Sequence, residues 1–372
     1  MQKNYISLGL MSGTSGDGVD ASLINSNGID HFDVIKDKYF EYDSHIFKEL
    51  HSIKEKINSL NDLNKYEKEL QKLERDITLF NAKIIKELNI KETNSLVGFH
   101  GQTVYHNPEQ KISKQLGDGR LLHQLTKKKV VFNFREKDIL NGGEGAPLTP
   151  IFHQLITLQK KIQLPICILN IGGISNITVI KKNIGTSGIF SKDIGPGNCL
   201  IDFWVRKNSN KKFDQDGILA SNGKTNEIIL EQALDLYNNR LNKNKSSFDT
   251  NDFDISFSRG LSLEDGTATL TDFSASIIAE VLSSILYKEK KIKDILICGG
   301  GRKNKILLKR IQKNLNPKFK IKLLDEYDLD GDFIESQAFA FLAIRTLKKL
   351  PITFPSTTNC ESPTIGGDVV GN

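Results

Sequence analysis

The chain has 372 residues, of which 38% are hydrophobic and 26% charged, a composition typical of a globular protein with enough apolar material for two cores. The net charge is +6, but the lysines are scattered in short runs without interleaved aromatic residues, which argues against a nucleic-acid-binding protein. The four cysteines form no CxxC pair, and no apolar stretch approaches the roughly 18 residues of a membrane span. These features exclude a disulfide framework and a zinc pattern, and they predict a soluble protein of the reducing cytosol.

The first predicted element is a strand over 5–10, followed by a turn rich in glycine and hydroxyl residues and by a second strand over 19–24. Glycines allow backbone N–H groups to point toward one place, and hydroxyls add donors, so the turn predicts a phosphate-binding loop. Asp17 and Asp20 add carboxylates that suit Mg²⁺. A plain hairpin tip stays open as the alternative, since the turn has neither a P-loop nor a GxGxxG pattern. The residues of the predicted phosphate loop are Ser12, Gly13, Thr14, Ser15, Gly16, Asp17 and Gly18.

Two amphipathic helices are predicted over 44–88, followed by short strands over 95–99 and 130–134. Polar side chains follow both strands and occupy a glycine-rich loop. Such groups suit the hydroxyls and carboxylate of a sugar, and Arg135 in particular suits a carboxylate by bidentate pairing. A structural role stays open for each of them. These residues are His100, Gln102, Arg135, Asp138 and Glu144.

The second half of the chain repeats the form of the first, with a strand over 165–171, a turn at Gly172 and Gly173, and an antiparallel partner over 175–180. This turn is a second candidate phosphate turn. Asp193 precedes Gly195 and is a candidate general base, because a carboxylate held in a rigid turn at a strand end can accept a proton. An aspartate that only caps the following turn is the alternative.

A long helix over 267–288, a strand over 294–298 and a last helix over 335–348 complete the prediction. Three glycines after the strand, Gly299 to Gly301, allow a flat ring to lie against the backbone, with a helix from Arg302 behind it for phosphates. An ordinary strand–helix turn is the alternative. Three glycine turns that each follow a strand together favour a nucleotide bound between two lobes.

The motifs together resemble one family, the anhydro-N-acetylmuramic acid kinases, a branch of the sugar kinase/Hsp70/actin superfamily. The matching stretches occur in the same order as in the family and extend over nearly the whole chain. One difference is Glu144, at a position where the family usually has glutamine. The matching stretches are 9–20, 100–103, 133–135 with Asp138, 142–147, 170–176, 193–198, 268–271, 298–304, and Glu335 with 338–340.

The resemblance implies an α/β protein with the two-lobed actin-like ATPase fold, a duplicated βββαβα core and a central nucleotide cleft. It implies an N-terminal lobe over 1–128, completed by the C-terminal helix region 335–372, and a C-terminal lobe over 129–334. It also implies a cytoplasmic enzyme of peptidoglycan recycling that uses ATP and Mg²⁺. Its partners are then ATP and the anhydro sugar, with no nucleic acid and no membrane, and a homodimer is allowed.

The implied reaction opens the 1,6-anhydro ring of anhydro-N-acetylmuramic acid and phosphorylates O6, with Asp193 as the base. A conventional kinase for an open amino sugar and a non-catalytic nucleotide-binding protein of the same superfamily are the alternatives. The implied sugar-binding residues are His100, Gln102, Arg135, Asp138, Glu144 and Glu335. The implied Mg²⁺ ligands are Asp17 and Asp20. The implied ATP-binding residues are Ser12, Gly13, Thr14, Ser15, Gly16, Asp17, Gly18, Asp20, Gly172, Gly173, Asn176, Gly195, Gly197, Asn198, Gly299, Gly300, Gly301 and Asn304.

Overall fold

The computed structural model describes residues 3–90, 95–183, 185–240 and 247–371. Contacts between Cα atoms divide the chain into two compact units. The first comprises 1–162, 183–190 and 332–372, and the second comprises 163–182 and 191–331.

The described residues form both helices and strands. The elements as far as residue 162 are β1 (Tyr5–Ser12), β2 (Gly18–Ser26), β3 (Phe32–Glu41), α1 (Ser44–Lys56), α2 (Leu60–Lys65), α3 (Glu67–Leu88), β4 (Leu96–Asn107), β5 (Ile112–Leu116), α4 (Gly119–Thr126), β6 (Lys129–Phe132), α5 (Glu136–Leu140) and α6 (Pro150–Gln159). The remaining elements are β7 (Ile166–Ile171), β8 (Ile174–Ile180), β9 (Ile189–Pro196), α7 (Cys199–Asn208), α8 (Ile218–Asn222), α9 (Glu227–Arg240), α10 (Leu263–Lys288), β10 (Asp294–Cys298), α11 (Lys305–Asn314), β11 (Lys320–Leu323), α12 (Ile334–Leu347), α13 (Pro355–Thr358) and β12 (Asp368–Val370).

The sheet of the first unit has the strand order β12-β6-β4-β1-β2-β3, with β5 paired to β4. Strands β1, β2 and β3 form an antiparallel meander, in which Leu8 lies opposite Leu23. Strand β4 is parallel to β1, and β6 is parallel to β4. The crossover from β3 to β4 contains α1 to α3, as a parallel connection requires. Three antiparallel strands followed by two parallel ones are the strand pattern of one predicted core.

The sheet of the second unit repeats this order as β11-β10-β7-β8-β9. Strands β7 and β8 are antiparallel, β10 is parallel to β7, and β11 is parallel to β10. Each sheet therefore places its first strand in the middle, with the meander on one side and the parallel strands on the other. The predicted duplication of the core is confirmed by this shared topology.

Each unit buries its own apolar core. In the first, Leu8, Leu10 and Val97 of the sheet pack with residues of α1 and α3, such as Leu50 and Ile77. The regular spacing of apolar residues on these helices produces one buried stripe, as predicted for the region 44–88.

Helix α10 corrects one expectation from composition. Its 26 residues are long and apolar enough to cross a membrane by length and composition alone, with a mean hydropathy of 1.3 in its most apolar window. However, 61% of that window is buried inside the protein. Ile278, Leu282 and Leu286 lie in the core of the second unit, together with Leu169 and Ile295 of its sheet. We therefore interpret α10 as a core helix.

The boundary between the units also differs from the predicted one. Residues 129–162 belong to the first unit, because β6 is hydrogen-bonded to β4 in the first sheet. The C-terminal helix α12 packs on β1, β2 and β4 of that sheet. Two glycines allow this close approach: a Cβ atom on Gly9 would lie 1.8 Å from Ser336 O, and one on Gly98 would lie 2.3 Å from Phe339 O.

Replacing Gly9 by alanine is expected to destabilise the first unit by about 3 kcal/mol, the upper range for an overpacked core site. The added methyl group meets the backbone of α12, which cannot move aside as a flexible side chain would. Gly13→Ala is the matched control, since nothing lies within 4 Å of a Cβ atom at that position. Denaturant unfolding with equal midpoints for the two variants would contradict the close packing of α12 on β1.

Candidate active site

The predicted phosphate loop connects β1 and β2 in the first unit. Gly16 has a φ of +67°, and its N–H donates to Gly13 O at 3.2 Å, so the loop turns tightly after its tip. Thr14 and Ser15 at the tip are partly exposed. Gly18 must be a glycine, because a Cβ atom there would lie 2.3 Å from Phe40 O of the neighbouring strand. The loop is thus a short, strongly bent connection with hydroxyl groups at its tip.

Side chains from outside the loop hold its backbone in place. Gln102 Nε2 donates to Gly13 O at 2.9 Å, and Lys54 Nζ donates to Thr14 O at 2.7 Å. Ser12 Oγ lies 2.8 Å from Gly18 O and 2.5 Å from Gln102 Oε1, and it accepts from Tyr42 Oη at 3.1 Å.

Gln102 was predicted as a sugar contact, and both ends of its amide are hydrogen-bonded to residues of the loop. Lys54 and Tyr42 were not predicted. They come from α1 and from the segment before it, so only the fold brings them to the loop.

A β-bulge shapes the middle of β4. The register between β1 and β4 shifts between Leu10 and Met11, which pair with Phe99 and Gly101, so His100 is an extra residue on β4. Gly101 has a φ of +74°, which favours glycine at this bulge. The strand predicted to end near 99 therefore continues through His100 and Gln102 to Asn107.

His100 and Arg135 form a buried pair beside the bulge. His100 Nδ1 lies 2.8 Å from Gly101 O, and its Nε2 lies 2.9 Å from Arg135 Nη2. Burial, and then the charge of Arg135, lower the pKa of His100 from 6.5 to about 3, so the imidazole is neutral. With Nδ1–H donating to the carbonyl, Nε2 accepts from the guanidinium. Arg135 Nη1 donates to Gly145 O at 2.7 Å, which links the pair to the glycine-rich loop.

Asp138 and Glu144, both predicted as sugar contacts, hold that loop against the C-terminal segment. Asp138 is fully buried; its Oδ2 accepts from Gly145 N–H and its Oδ1 from Thr358 Oγ1, both at 2.7 Å. Glu144 Oε1 accepts from Asn359 Nδ2 at 2.7 Å. The carboxylate of Asp138 therefore orders the loop, and its burial leaves no surface for a ligand.

Acidification is expected to destabilise the first unit through His100 and His153. Burial lowers the pKa of His153 to about 3 as well. Between about pH 6.5 and 3 the unfolded chain binds protons that the folded chain does not. The free energy of unfolding is therefore expected to fall by about 1.4 kcal/mol per pH unit for each histidine over this range, and not above it. Denaturant titrations measure how the free energy of unfolding changes with pH. This change should be smaller in His153→Gln than in the wild type, and the exposed control His45→Gln should behave as the wild type. Equal changes in the wild type and both variants would contradict the prediction.

Three acidic residues in or beside the phosphate loop, Asp17, Asp20 and Glu41, lie close to the phenol of Tyr39. Burial, and then the charge of Asp17, raise the pKa of Tyr39, with smaller effects of Glu41 and Asp20. Within the described residues no group of three His, Cys, Asp or Glu side chains has the geometry of a metal cage. Mg²⁺ in phosphoryl transfer is commonly held by one or two carboxylates together with the phosphates of the substrate. Asp17 in the loop and Asp20 on β2 supply carboxylates of the kind that this mode of binding uses.

In the second unit the first glycine turn is hydrogen-bonded to the turn that follows β9. The N–H of Gly197 donates to Gly173 O at 2.8 Å, and the N–H of Asn198 donates to Gly172 O at 2.9 Å. A Cβ atom on Gly197 would lie 2.3 Å from Gly172 O, so the contact requires glycine. These two N–H groups are therefore used within the protein and are not available as donors to a phosphate.

Asp193 lies within β9 rather than at a strand end, because β9 extends through Gly195 to Pro196. The carboxylate is 5% exposed, and its Oδ2 accepts from the N–H of Phe248 at 2.9 Å. Gly195 has a φ of +147°, and a Cβ atom there would lie 2.6 Å from Ile277 Cγ2. A buried carboxylate thus stands beside a rigid backbone segment, as a general base requires.

Three polar atoms around these turns are buried without a hydrogen-bond partner among the described residues. They are Asn170 Oδ1, Ser175 Oγ and Asn176 Oδ1. Asn170 and Asn176 are opposite each other on β7 and β8, and Ser175 is the residue before Asn176 on β8. Buried polar groups are normally paired, so three such atoms at one strand end indicate a place where a polar ligand binds. The sequence predicted the stretch 170–176 as a phosphate turn, but of these three residues only Asn176 was named as an individual site residue.

The third glycine turn follows β10. Gly299 has a φ of +83°, and its N–H donates to Gly331 O at 2.9 Å. A Cβ atom on Gly301 would lie 2.2 Å from Ile171 Cγ2, whereas nothing lies within 4 Å of a Cβ atom on Gly300. The space beside Gly300 is therefore open among the described residues of the protein, which fits the predicted room for a flat ring.

Two neighbours of this turn have structural roles. The helix predicted from Arg302 begins at Lys305, and Asn304 caps it by accepting from Leu307 N–H at 3.0 Å. Asn304 was predicted to bind the nucleotide, but this amide oxygen is used by the helix. The buried Arg302 bonds Asp325 through Nε at 2.9 Å and Nη2 at 3.0 Å, which holds the following loop in place.

Glu335, the last predicted sugar contact, lies in the first turn of α12 in the first unit and is half-buried. The residue after it, Ser336, has its Oγ 2.6 Å from Ser22 Oγ of β2. Glu335 is therefore carried by the end of a helix that is fixed on the sheet.

Comparison with known proteins by sequence identifies one family. Residues 4–371 match the family described as anhydro-N-acetylmuramic acid kinase. The chain is 54% identical to the anhydro-N-acetylmuramic acid kinase of Pelagibacter ubique (strain HTCC1062), over 100% of both proteins. It is 36% identical to the protein of that name from Rhodospirillum rubrum, over 97% of this chain and 92% of the other. Among solved structures, the activator of the 2-hydroxyisocaproyl-CoA dehydratase from Clostridium difficile with bound ADPNP aligns with a TM-score of 0.41 at 12% identity, over 92% of this chain and 96% of the other.

Proposed function

Because the chain belongs to the anhydro-N-acetylmuramic acid kinase family and is a phosphotransferase that uses ATP, we propose that it opens and phosphorylates its sugar in one reaction. The 1,6-anhydro ring of anhydro-N-acetylmuramic acid is cleaved by water, and O6 receives the γ-phosphoryl group. The products are N-acetylmuramic acid 6-phosphate and ADP, in the recycling of peptidoglycan. The observation that carries this proposal is the buried carboxylate of Asp193 beside the paired glycine turns.

Asp193 is the group that activates water. Its carboxylate accepts a proton from a water molecule while the water oxygen bonds to the anomeric carbon C1. The C1–O6 bond breaks, and its electron pair stays on O6, which then attacks the γ-phosphorus. The bond between the γ-phosphorus and the β–γ bridging oxygen breaks, and ADP leaves. Relief of strain in the bicyclic acetal favours the opening, and the proton on Asp193 returns to solvent.

The phosphate loop binds the triphosphate. The hydroxyls of Thr14 and Ser15 are at its partly exposed tip, where donors can reach phosphoryl oxygens. Gln102, Lys54 and Ser12 hold the loop before ATP arrives, which lowers the entropic cost of binding.

The second unit contributes the groups for the rest of the nucleotide. The open space beside Gly300 accommodates the flat purine ring. The buried atoms Asn170 Oδ1, Ser175 Oγ and Asn176 Oδ1 supply polar partners for the ligand, which accounts for their lack of partners among the described residues.

Mg²⁺ fits next to the loop, with Asp17 and Asp20 as the protein groups that hold it. When bound there, the ion neutralises charge on the β- and γ-phosphates. Asp17 and Asp20 lie near the phenol of Tyr39, whose pKa is raised by burial and by the charge of Asp17.

The sugar is recognised in the first unit. Arg135 carries a guanidinium that donates to His100 Nε2 and to Gly145 O. A guanidinium in that setting suits the lactyl carboxylate that distinguishes a muramic acid from other amino sugars. Glu144 and Glu335 provide acceptors for sugar hydroxyls, while Asp138 keeps the loop that carries Glu144 in shape.

The proposal is tested by comparing two substrates in an assay that couples ADP release to a colour change. Anhydro-N-acetylmuramic acid should support ADP release, with one phosphorylated open sugar formed per ADP. Open N-acetylmuramic acid should be a poor substrate, since its O6 is not released by ring opening. Faster ADP release with the open sugar would favour a conventional sugar kinase and overturn the proposal.

A further inference from the structure

The carboxylate of Asp193 is held by a main-chain donor that comes from outside its own sheet. Phe248 N–H donates to Asp193 Oδ2 at 2.9 Å. Asp193 is 5% exposed, and Ser247, next to the donor, is fully buried. The contact is therefore partly buried, and burial strengthens a hydrogen bond to a charged group.

Aromatic residues fix the segment that carries this donor. The ring of Phe248 lies 5.6 Å from that of Phe253, which stacks at 6.1 Å on Tyr237 of α9. Tyr237 in turn makes an edge contact at 5.7 Å with Phe273 of α10. Aromatic pairs at these distances add stability beyond the area that they bury. The donor is thus tied through rings to two helices of the second unit.

This hydrogen bond restricts the orientation of the Asp193 carboxylate. A carboxylate has two oxygens, each with two lone pairs, and it can rotate about its χ2 angle. A donor fixed on Oδ2 limits that rotation and keeps Oδ1 in one direction. A base must lie within hydrogen-bond reach of the proton that it removes, and a displacement of about 1 Å can cost about 10²-fold in rate.

We propose that Phe248 is a positioning residue whose main-chain N–H orients Asp193 for proton transfer from water. The inference rests on the proposed role of Asp193 as the base. The N–H, rather than the phenyl ring, performs this role, and the ring only anchors the segment. A purely structural hydrogen bond is the competing explanation, and the two differ in their effect on kcat.

The test replaces one atom. Phenyllactic acid in place of Phe248 converts the amide N–H to an ester oxygen and leaves the side chain intact. We expect kcat to fall by about ten- to a hundredfold, the usual range for a lost hydrogen bond to a charged group, with KM for both substrates unchanged. The matched control is the same replacement at Phe253, whose N–H donates to Thr250 O rather than to Asp193.

Equal kcat values for the esters at 248 and 253 would overturn the inference. A second comparison uses the Asp193→Asn background, where the ester at 248 should cause no further loss, because the two groups act as one unit. A further loss of similar size there would mean that the N–H stabilises the fold and not the base, and would also overturn it. If Asp193→Asn turned over at the wild-type rate, the proposed role of Asp193 as the base would be wrong. If Asp193→Asn were inactive but the ester at 248 were fully active, only the positioning role of Phe248 would be wrong.

Discussion

Replacing Asp193 by asparagine is expected to lower turnover by at least about 10²-fold, the usual scale for loss of a general base. Asparagine has nearly the same size, and its amide oxygen can still accept from Phe248 N–H, so the second unit should fold normally. It cannot take a proton from water. Because ring opening supplies the nucleophile for phosphoryl transfer, the phosphorylated sugar and the open unphosphorylated sugar should disappear together, while both substrates still bind.

Asp214→Asn is the matched control for this experiment. Asp214 is also a buried aspartate of the second unit, and it accepts from the N–H groups of Leu219 and Ala220 at 2.7 and 3.0 Å. Burial raises the pKa of the Asp214 carboxyl, and asparagine preserves the size of this side chain. Its kcat per folded enzyme should stay at the wild-type value. Turnover of Asp193→Asn close to that of Asp214→Asn would mean that Asp193 only supports the local structure.

Replacing Gly300 by valine is expected to weaken ATP binding by about tenfold to a hundredfold, which corresponds to an overpacking cost of about 1–3 kcal/mol. In the protein itself a Cβ atom at Gly300 meets nothing within 4 Å, and no positive φ requires glycine there. The variant should therefore fold with wild-type stability and lose affinity only because its side chain occupies the space of the purine. Calorimetric titration should show unchanged affinity for the sugar.

Gly301→Ala is the comparison variant, because its added methyl group should disturb packing within the protein, whereas the side chain of Gly300→Val should only block ATP. A Cβ atom there lies 2.2 Å from Ile171 Cγ2, so the variant should lose stability first. Equal losses of ATP and sugar affinity in Gly300→Val, or ATP binding as in the wild type, would contradict the placement of the purine beside Gly300.

Features with local signals were predicted from the sequence. The glycine turns after β1, β7 and β10 were found because each interrupts an apolar run, and the helices α1 and α3 because their apolar residues recur at helical spacing. The buried Asp193 was identified from its glycine neighbours, although the strand around it extends further than expected.

Features that depend on distant parts of the chain were not predicted. The boundary at 162 depends on the pairing of β6 with β4. The role of His100 depends on Arg135, 35 positions later, and that of Asp138 on Thr358, 220 positions later. Phe248 has no sequence signal at all, because its contribution is a backbone N–H. Asn304 had a local signal, an asparagine directly before a helix, which predicts a cap rather than a nucleotide contact.

The central claim is that water attacks C1 and that O6 of the same sugar then receives the phosphoryl group. It is tested most directly by a short reaction in ¹⁸O-labelled water, analysed by mass spectrometry before the anomeric hydroxyl exchanges with solvent. The account predicts one ¹⁸O atom at C1, an unlabelled phosphate ester at O6, and ADP formed in equal amount to the product. Label in the phosphate group or in the oxygen that bridges C6 and phosphorus would contradict it.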